Sequence, residues 1–301
     1  MKPPLLTELA PAKVNLTLCL TGLRADGLHL LDSLVVFADV GDLVTVAPAQ
    51  GLSLTVTGPR AAGVPVDGSN LVLRAAEHLR RLRNVTAGAA ITLDKHLPHG
   101  GGVGGGSSDA AAALRLLARL WTVEPLTGDE ALALGADLPV CLAAPAPRVM
   151  SGIGEVLRPA PDLPAGWFVL VNPGVTVATR AVFAAHDLDH GFDPAGLQGC
   201  DESLTPDTFA GWLEHQRNDL TKVVCTPRFA LSVGDIIAQL RASTGCKAAN
   251  MSGSGSTCWG WFSNIGDARV AALRIGTAAP DWWIAVARVL RPGDQLSRDT
   301  T

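Results

Sequence analysis

Hydrophobic and polar residues alternate strictly near the start of the chain, across residues 12–20. One face would carry Val14, Leu16, Leu18 and Leu20, and the other Lys13, Asn15, Thr17 and Cys19. Alternation with a period of two predicts a β-strand with one face in the core. From this pattern alone, Lys13 is expected on the solvated face of the strand.

Similar patterns predict most of the remaining elements. Strands are expected at residues 30–46, 52–57, 89–94, 167–172, 246–251, 257–262 and 283–290, with turns near Gly41-Asp42 and Gly58-Pro59. Helices are expected from Asn70, from Ser108 to Trp121, and at residues 129–134, 179–185, 206–222 and 229–243. Because strands and helices do not alternate regularly, the pattern favours an α+β fold. Prolines at positions 159, 161 and 164 predict a boundary between domains at residues 1–157 and 158–301.

Composition narrows the class of protein. The 301 residues are 48% hydrophobic and 17% charged, which is typical of a globular protein with a large core. A net charge of −4 argues against a general nucleic-acid binder. We find no membrane-spanning segment and no signal peptide, and therefore expect a cytoplasmic protein. The six cysteines lack metal-site spacing and are expected to be reduced thiols, and a metal site in the segment from His186 to His190 is not expected.

A glycine run stands out between a predicted strand and a predicted helix. Residues 100–106 read GGGVGGG and lead directly into Ser107, Ser108 and a helix-forming segment. Unpaired amides and the positive end of the helix dipole would meet at this point. Two interpretations are open, a cradle for a phosphate-like anion and a flexible linker, and the capping serines favour the cradle.

The known phosphate loops differ in how well they fit this run. The P-loop pattern fails, because Ser107 rather than lysine follows Gly106. The dinucleotide pattern is matched formally by Gly100, Gly102 and Gly105, which is a weak match in so glycine-rich a run. The esterase pattern also fails. What remains is P-x-G-G-G-x-G-G-G-S-S over residues 98–108, which resembles the ATP-binding motif of the GHMP kinases, a family that includes galactokinase, homoserine kinase and mevalonate kinase.

Four further segments resemble this family in the same order. Two of them are PAKVNL at residues 11–16 and MSGSG at residues 251–255. Together with the glycine run, their order and spacing resemble those of the family across essentially the whole chain. GLRADGLH at residues 22–29 and LGADLP at residues 134–139 resemble segments of members that phosphorylate an alcohol linked to cytidine diphosphate. The resemblance implies an N-terminal nucleotide-binding domain like ribosomal protein S5 domain 2 and a ferredoxin-like C-terminal α/β sandwich.

The resemblance also implies catalytic and nucleotide-binding roles. Asp137 would accept the proton of the substrate hydroxyl, while Lys13 would keep Asp137 ionised and stabilise the alkoxide. On pattern alone, Asp137 would be read as a turn residue. ATP would be bound by Asn70, Lys95, Gly100, Gly101, Gly102, Val103, Gly104, Gly105, Gly106, Ser107 and Ser108. Mg²⁺ would bridge the phosphates without dedicated protein ligands.

For the second substrate, the resemblance implies a cytidine site. His29 would bind the cytosine, Phe183 would stack on it with Thr179 nearby, and Asn15 would contact the polyol or phosphate. Leu28 stands where the family usually has tyrosine, so one wall would be aliphatic. No nucleic acid or membrane partner is expected, and the chain would be a monomer or a weak homodimer. Alternatives are a homoserine or mevalonate type of kinase, a nucleotide sensor that has lost catalysis, and a dinucleotide-dependent oxidoreductase.

Overall fold

Two β-sheets pack together in the computed structural model, which describes residues 5–189, 191–199 and 204–298. In both sheets, some neighbouring strands are not consecutive in sequence. The first sheet has seven strands and the second has four. Helices cover the outer faces of both sheets, so the fold is α+β, as the sequence pattern predicts.

The first sheet is built around one long central strand. Its strands are β1 (Leu6–Asn15), β2 (Cys19–Leu23), β3 (His29–Ala49), β4 (Leu52–Thr57), β5 (Gly88–Asp94), β6 (Arg148–Gly152) and β7 (Val156–Pro159). Strand β3 pairs with β1 and β2 along one edge and with β5 and β6 along the other. All pairs are antiparallel except β4 with β5, which helix α1 (Leu71–Leu82) connects.

Three more helices complete this first half: α2 (Gly105–Trp121), α3 (Gly128–Leu132) and α4 (Leu138–Leu142). An unbroken alanine-rich stretch in α2 lies against the sheet, because residues 110–113 are fully buried. Small side chains let the helix backbone approach the sheet closely. The start of α2 is thereby held at one end of β1.

The second sheet runs in the order β11-β8-β10-β9 and is antiparallel. Its strands are β8 (Trp167–Asn172), β9 (Cys246–Met251), β10 (Cys258–Phe262) and β11 (Trp283–Arg288). Its helices are α5 (Thr179–Asp189), α6 (Pro206–Glu214), α7 (Thr221–Val224), α8 (Ser232–Arg241) and α9 (Ile265–Ala278). A shared core joins the sheets, where Val14 and Leu34 pack with Phe168 and Trp259.

The last described segment returns to the first sheet. The amide of Leu290 donates to the carbonyl of Phe37 at 2.8 Å, and the amide of Leu9 donates to the carbonyl of Leu296 at 2.9 Å. The side chains of Leu290 and Leu296 belong to the hydrophobic core of the first half. The chain therefore crosses between the two halves a second time, at residues 289–298.

Three predictions for the first fifty residues were wrong. Residues 12–20 are not one strand, because the chain leaves β1 after Asn15 and re-enters the sheet at Cys19. Lys13 is buried rather than solvated, at 4% exposure, because the glycine run covers its face of the strand. The predicted turn at Gly41-Asp42 lies inside β3, where these two residues pair with Pro11 and Ala10 directly after a shift in the strand register.

Other differences lie in the second half. The helix predicted at residues 206–222 is divided into α6 and α7, because the backbone of residues 217–219 pairs with Leu18 instead. Helix α9 was missed, since its exposed Val270 and Leu273 obscure the amphipathic pattern. No helix in the described ranges has the length and apolar character needed to cross a bilayer.

The cysteines and the histidine cluster were also part of the sequence predictions. Five cysteines are free thiols, at positions 19, 141, 225, 246 and 258, and Cys200 lies outside the described residues. His190 also lies outside them. Within the described part of the chain, no group of three acidic, histidine or cysteine side chains is placed to hold a metal ion.

Candidate active site

An open cleft of about 330 Å³ lies where the two halves of the chain meet. The first half contributes Lys13, Asn15, Asp137 and residues 100–102 and 104–107. The second half contributes Thr179, Phe183, Gly253 and Ser254. Segments separated by more than two hundred residues in sequence therefore form one site.

The glycine run lines this cleft with its backbone. Its carbonyls are engaged on the protein side, because Val103 accepts from the amide of Lys13 at 2.9 Å and Gly101 accepts from the amide of Thr257 at 3.0 Å. The carbonyl of Gly102 accepts from the hydroxyl of Ser252 at 2.9 Å. Helix α2 begins immediately afterwards, and the amides of its first turn have no acceptor within the helix. The arrangement is suited to binding an anion.

The serines after the run do not cap the helix, contrary to the expectation. The N-cap is Gly104, with φ of 62°, and it makes no side-chain capping bond. The hydroxyl of Ser108 is buried and donates to the carbonyl of Pro11 at 2.8 Å, whereas Ser107 lines the cleft. The Val103 side chain is buried at 1% exposure, and Val103 is not among the residues that line the cleft, contrary to the expectation that it binds ATP.

We predict that Gly102→Ala distorts the loop. Its φ of +78° disfavours a side chain, and a Cβ there would lie 2.5 Å from the carbonyl oxygen of Ser252. Gly63 has φ of +79° with nothing within 4 Å, so Gly63→Ala is a control for the φ strain alone. That strain costs about 1–2 kcal/mol. Chemical denaturation should show a larger loss of stability for Gly102→Ala than for Gly63→Ala, and ATP titration a larger loss of affinity. Equal losses in the two variants would contradict the close packing at Gly102.

Lys13 and Asp137 meet in the cleft although 124 residues separate them. The Nζ atom of Lys13 lies 2.8 Å from Oδ1 of Asp137. Lys13 projects from β1 beneath Gly104, where a Cβ would come within 3.0 Å of the lysine Cε. Asp137 immediately precedes α4, and 42% of its side chain is exposed, compared with 5% for Lys13. A fixed ammonium therefore holds a carboxylate that remains accessible from the cleft.

Asn15 presents an unused acceptor in the same place. Its amide nitrogen Nδ2 donates to the hydroxyl of Ser33 at 2.8 Å, and its backbone amide donates to the hydroxyl of Ser252 at 3.1 Å. Its Oδ1 is buried and has no partner among the described residues. A buried acceptor without a partner is costly unless a ligand supplies one. Asn15 is therefore suited to accept a hydrogen bond from a bound hydroxyl.

A second lobe of about 730 Å³ continues from this cleft. The two share Ser107, Asp137, Thr179 and Phe183, and the second lobe adds Leu28 and His29. The rings of His29 and Phe183 are 4.7 Å apart between centroids and inclined by 50°. Leu28 is 46% exposed, and the hydroxyl of Thr179 lies 2.8 Å from that of Ser254. A flat ligand would meet aromatic and aliphatic surface here.

Two predicted nucleotide ligands are engaged elsewhere. Asn70 caps α1, with its Oδ1 accepting from the amide of Val72 at 2.8 Å and its Nδ2 donating to the carbonyl of Pro65 at 2.6 Å. Lys95 is buried behind the glycine run, and its ammonium is paired with Asp42 and Asp109. Neither residue lines the cleft, although Leu71, next to Asn70, does.

The cluster of Lys95, Asp42 and Asp109 holds two carboxylates against one ammonium. Nζ of Lys95 lies 2.7 Å from Oδ2 of Asp109, and Oδ1 of Asp42 accepts the amides of His96 and Leu97. Burial, reinforced by the charge of Asp42, raises the pKa of Asp109 well above its ordinary value, although Lys95 opposes this. Burial alone would lower the pKa of Lys95, but the two carboxylates outweigh it and raise the pKa. The cluster is neutral when Asp109 is protonated.

We predict that Asp109→Asn makes stability less sensitive to rising pH. The folded protein binds the Asp109 proton more tightly than the unfolded chain, whose carboxyl titrates near 4. The free energy of unfolding should therefore fall as pH rises above about 4, and the asparagine variant lacks this contribution. Urea denaturation from pH 4 to 9 should show the free energy of unfolding of Asp109→Asn rising relative to that of the wild type as pH increases. The control Asp162→Asn, in an exposed loop, should show the same pH dependence as the wild type. If the free energy of unfolding of Asp109→Asn differed from that of the wild type by the same amount at every pH, the raised pKa of Asp109 would be contradicted.

Sequence reasoning missed several residues of the cleft. Gly253 and Ser254 lie in the MSGSG segment that was recognised but not assigned to the site. Leu18, Leu31, Leu71, Met150 and Val177 also line it. In the sequence, these apolar residues resemble core positions, so no local signal distinguishes them. Asp187 was seen only as part of the histidine cluster.

Comparisons with known proteins identify the same kinase family that the sequence motifs resemble. Residues 70–146 match the family model "GHMP kinases N terminal domain" and residues 207–281 match "GHMP kinases C terminal". A protein of Jannaschia sp. (strain CCS1) named 4-diphosphocytidyl-2-C-methyl-D-erythritol kinase is 52% identical, covering 94% of this chain and 96% of the relative. A protein of the same name from Paramagnetospirillum magneticum is 49% identical, covering 93% and 97%.

Solved structures share the fold. A crystal structure of 4-(cytidine 5'-diphospho)-2C-methyl-D-erythritol kinase has a TM-score of 0.76 and 32% identity, covering 94% of this chain and 99% of that one. Homoserine kinase from Cytophaga hutchinsonii has a TM-score of 0.68 at 15% identity, covering 97% of each chain, which is a likeness of fold alone. The alternatives outside this group of kinases, a sensor without catalytic residues and an oxidoreductase, have no support in these comparisons or in the Lys13–Asp137 pair.

Proposed function

Because this chain belongs to the 4-diphosphocytidyl-2-C-methyl-D-erythritol kinases of the GHMP kinase family, we propose that its cleft transfers the γ-phosphoryl group of ATP to the C2 hydroxyl of that substrate. The observation that carries the proposal is the 2.8 Å contact between Lys13 and Asp137 beside the amides of the glycine run. Phosphoryl transfer depends on a held phosphate, a positioned nucleophile and neutralised charge. The cleft supplies groups suited to each.

In this mechanism, Asp137 is the general base. Its exposed carboxylate takes the proton of the C2 hydroxyl as the oxygen attacks the γ-phosphorus and ADP departs. Lys13 stabilises the charge that develops on the attacking oxygen and fixes the carboxylate in place. The unpaired Oδ1 of Asn15 accepts a hydrogen bond from a second hydroxyl of the polyol. That bond orients the substrate without touching the reacting atoms.

The phosphates of ATP bind the amides at the start of α2. The loop is rigid there, because three of its carbonyls are already bonded to Lys13, Thr257 and Ser252. Ser107 and Asp137 line the cleft where the phosphates would lie, and a Mg²⁺ ion there would be held chiefly by the ATP phosphates. When bound, Mg²⁺ would neutralise phosphate charge. Asn70 and Lys95 support the site from behind, by capping α1 and by anchoring α2.

The cytidine end of the substrate occupies the second lobe. Phe183 offers an aromatic face, His29 offers a ring nitrogen, and Leu28 supplies the aliphatic wall in place of a tyrosine. Thr179 lies between this lobe and the phosphate cleft, since it lines both. The distance from base to hydroxyl is then spanned by one continuous cavity.

A panel of acceptors tests the proposal. ADP release is measured with 4-diphosphocytidyl-2-C-methyl-D-erythritol, homoserine, mevalonate and galactose, each at the same concentration with ATP and Mg²⁺. We expect turnover with the cytidine-linked substrate alone, and ³¹P NMR of the product should place the new phosphate on C2. Faster turnover with homoserine or mevalonate would overturn the substrate assignment while retaining the kinase.

Three coarser features complete the proposal. We place the domain boundary in the proline-rich segment before β8, near residue 158, with residues 289–298 packed back on the first domain. A cytoplasmic location is supported by the free thiols of the five described cysteines. We expect a monomer or a weak homodimer, in which one chain supplies the residues that line both lobes of the cavity.

A further inference from the structure

His29 and Asp187 form a close pair in the second lobe, although 158 residues separate them. Nε2 of His29 lies 2.7 Å from Oδ1 of Asp187, and only 13% of the histidine side chain is exposed. His186 lies near the same oxygen, but its Nδ1 is 3.9 Å away, which is too far for a hydrogen bond. The packing of His29 against Phe183 leaves its ring little freedom to turn. Asp187 therefore determines which ring nitrogen of His29 is engaged.

This contact fixes where the ring hydrogen lies. An ionised carboxylate accepts hydrogen bonds and cannot donate one. Nε2 of His29 must carry a hydrogen to bond with it, so in the neutral ring Nδ1 is an acceptor. None of the described residues makes a hydrogen bond to Nδ1 of His29. In the neutral form of His29, one acceptor of fixed type is thus left for a ligand in this lobe.

We propose that Asp187 is a positioning residue that sets base specificity, by holding His29 in the tautomer whose Nδ1 accepts from the exocyclic amine of cytosine. The inference rests on the proposed function, since it deepens the assignment of the second lobe to the base. Cytosine has a donor amine at position 4, where uracil has a carbonyl acceptor. An acceptor Nδ1 opposite that carbonyl leaves both groups without a partner, which disfavours uracil.

Kinetics with two substrates test this specificity. The values of kcat/KM are measured for the cytidine-linked substrate and for its uridine-linked analogue, with the wild type, Asp187→Asn and Asp187→Ala. Asparagine can donate as well as accept, so it no longer dictates the tautomer. We expect the cytidine-to-uridine ratio to fall about 10- to 100-fold in both variants, mainly through KM. Asp193→Asn is the matched control, because Asp193 pairs with Arg217 outside the lobe.

A second experiment determines the tautomer of His29 directly, in the absence of substrate. Long-range ¹H–¹⁵N spectra of the ligand-free protein, assigned by loss of the His29 signals in His29→Gln, should show a hydrogen on Nε2 and none on Nδ1. Asp187→Asn should change that pattern while thermal melting shows it folded. A hydrogen on Nδ1 in the wild type, or an unchanged kinetic ratio in both variants, would overturn the inference. If the wild type does not use the cytidine-linked substrate, the proposed function fails independently of this spectrum.

Discussion

Asp137→Asn should reduce kcat by about 10²- to 10⁴-fold while ATP affinity stays nearly unchanged. The amide cannot take a proton from the attacking hydroxyl, whereas the amides of the glycine run still hold the phosphates. Because the Asp137 side chain is 42% exposed, the variant should remain folded. Single-turnover ADP release and equilibrium binding of a non-hydrolysable ATP analogue measure the two quantities separately.

A nearby acidic residue provides the comparison for Asp137→Asn. Asp129 is exposed in the first turn of α3, so Asp129→Asn removes the same charge from a helix that packs against α4. It should leave kcat within about two-fold, since exposed charges interact weakly through water. Normal turnover by Asp137→Asn would remove the base from the mechanism. Loss of ATP binding in that variant would instead assign Asp137 to the nucleotide.

Lys95→Met should destabilise the protein by about 3–5 kcal/mol, the usual cost of removing one partner from a buried ion pair. Lys95 is 2% exposed, and its removal leaves Asp42 and Asp109 facing one another without a cation. Urea denaturation at pH 7 measures the loss. The ATP dissociation constant should rise as well, since Asp109 lies in α2 directly after the phosphate loop.

A double variant separates anchoring from direct contact with the nucleotide. Lys95→Met combined with Asp109→Asn removes one of the two titratable groups that must be buried without a cation, so part of the lost stability should return. Recovery of ATP affinity in parallel would support an indirect role for Lys95. A large loss of ATP affinity in Lys95→Met with full stability would contradict it, and would favour the sequence-based expectation that Lys95 reaches the nucleotide.

Much of the fold was predictable because the determining signals are local. The strand β5, the cap at Asn70 and the strands β9 to β11 follow from alternation, capping chemistry and turn residues. Where predictions were wrong, a distant part of the chain had intervened. Leu18 pairs with the backbone of residues 217–219 and so divides a predicted helix. Asp42 continues strand β3 instead of forming a turn, and its carboxylate binds Lys95, 53 residues away in sequence.

The candidate site was predictable to the extent that its motifs are specific. The proximity of Lys13 and Asp137 follows from no local pattern, and resemblance alone suggested it; the contact at 2.8 Å agrees with that expectation. Burial could not be inferred in the same way. Lys95 and Ser108 occur within a recognised motif, yet both side chains bond to the protein interior. Whether a polar residue faces a ligand or a buried partner depends on packing that sequence spacing does not encode.

The return of residues 289–298 to the first sheet bears on how the enzyme is made in the cell. Leu290 and Leu296 complete a core whose other members are synthesised far earlier, and Ser252 completes the support of the phosphate loop. While the ribosome is still translating the second half, the nascent chain lacks both. The glycine run therefore gains its support, and the first core is closed, only after residues 289–298 have been synthesised.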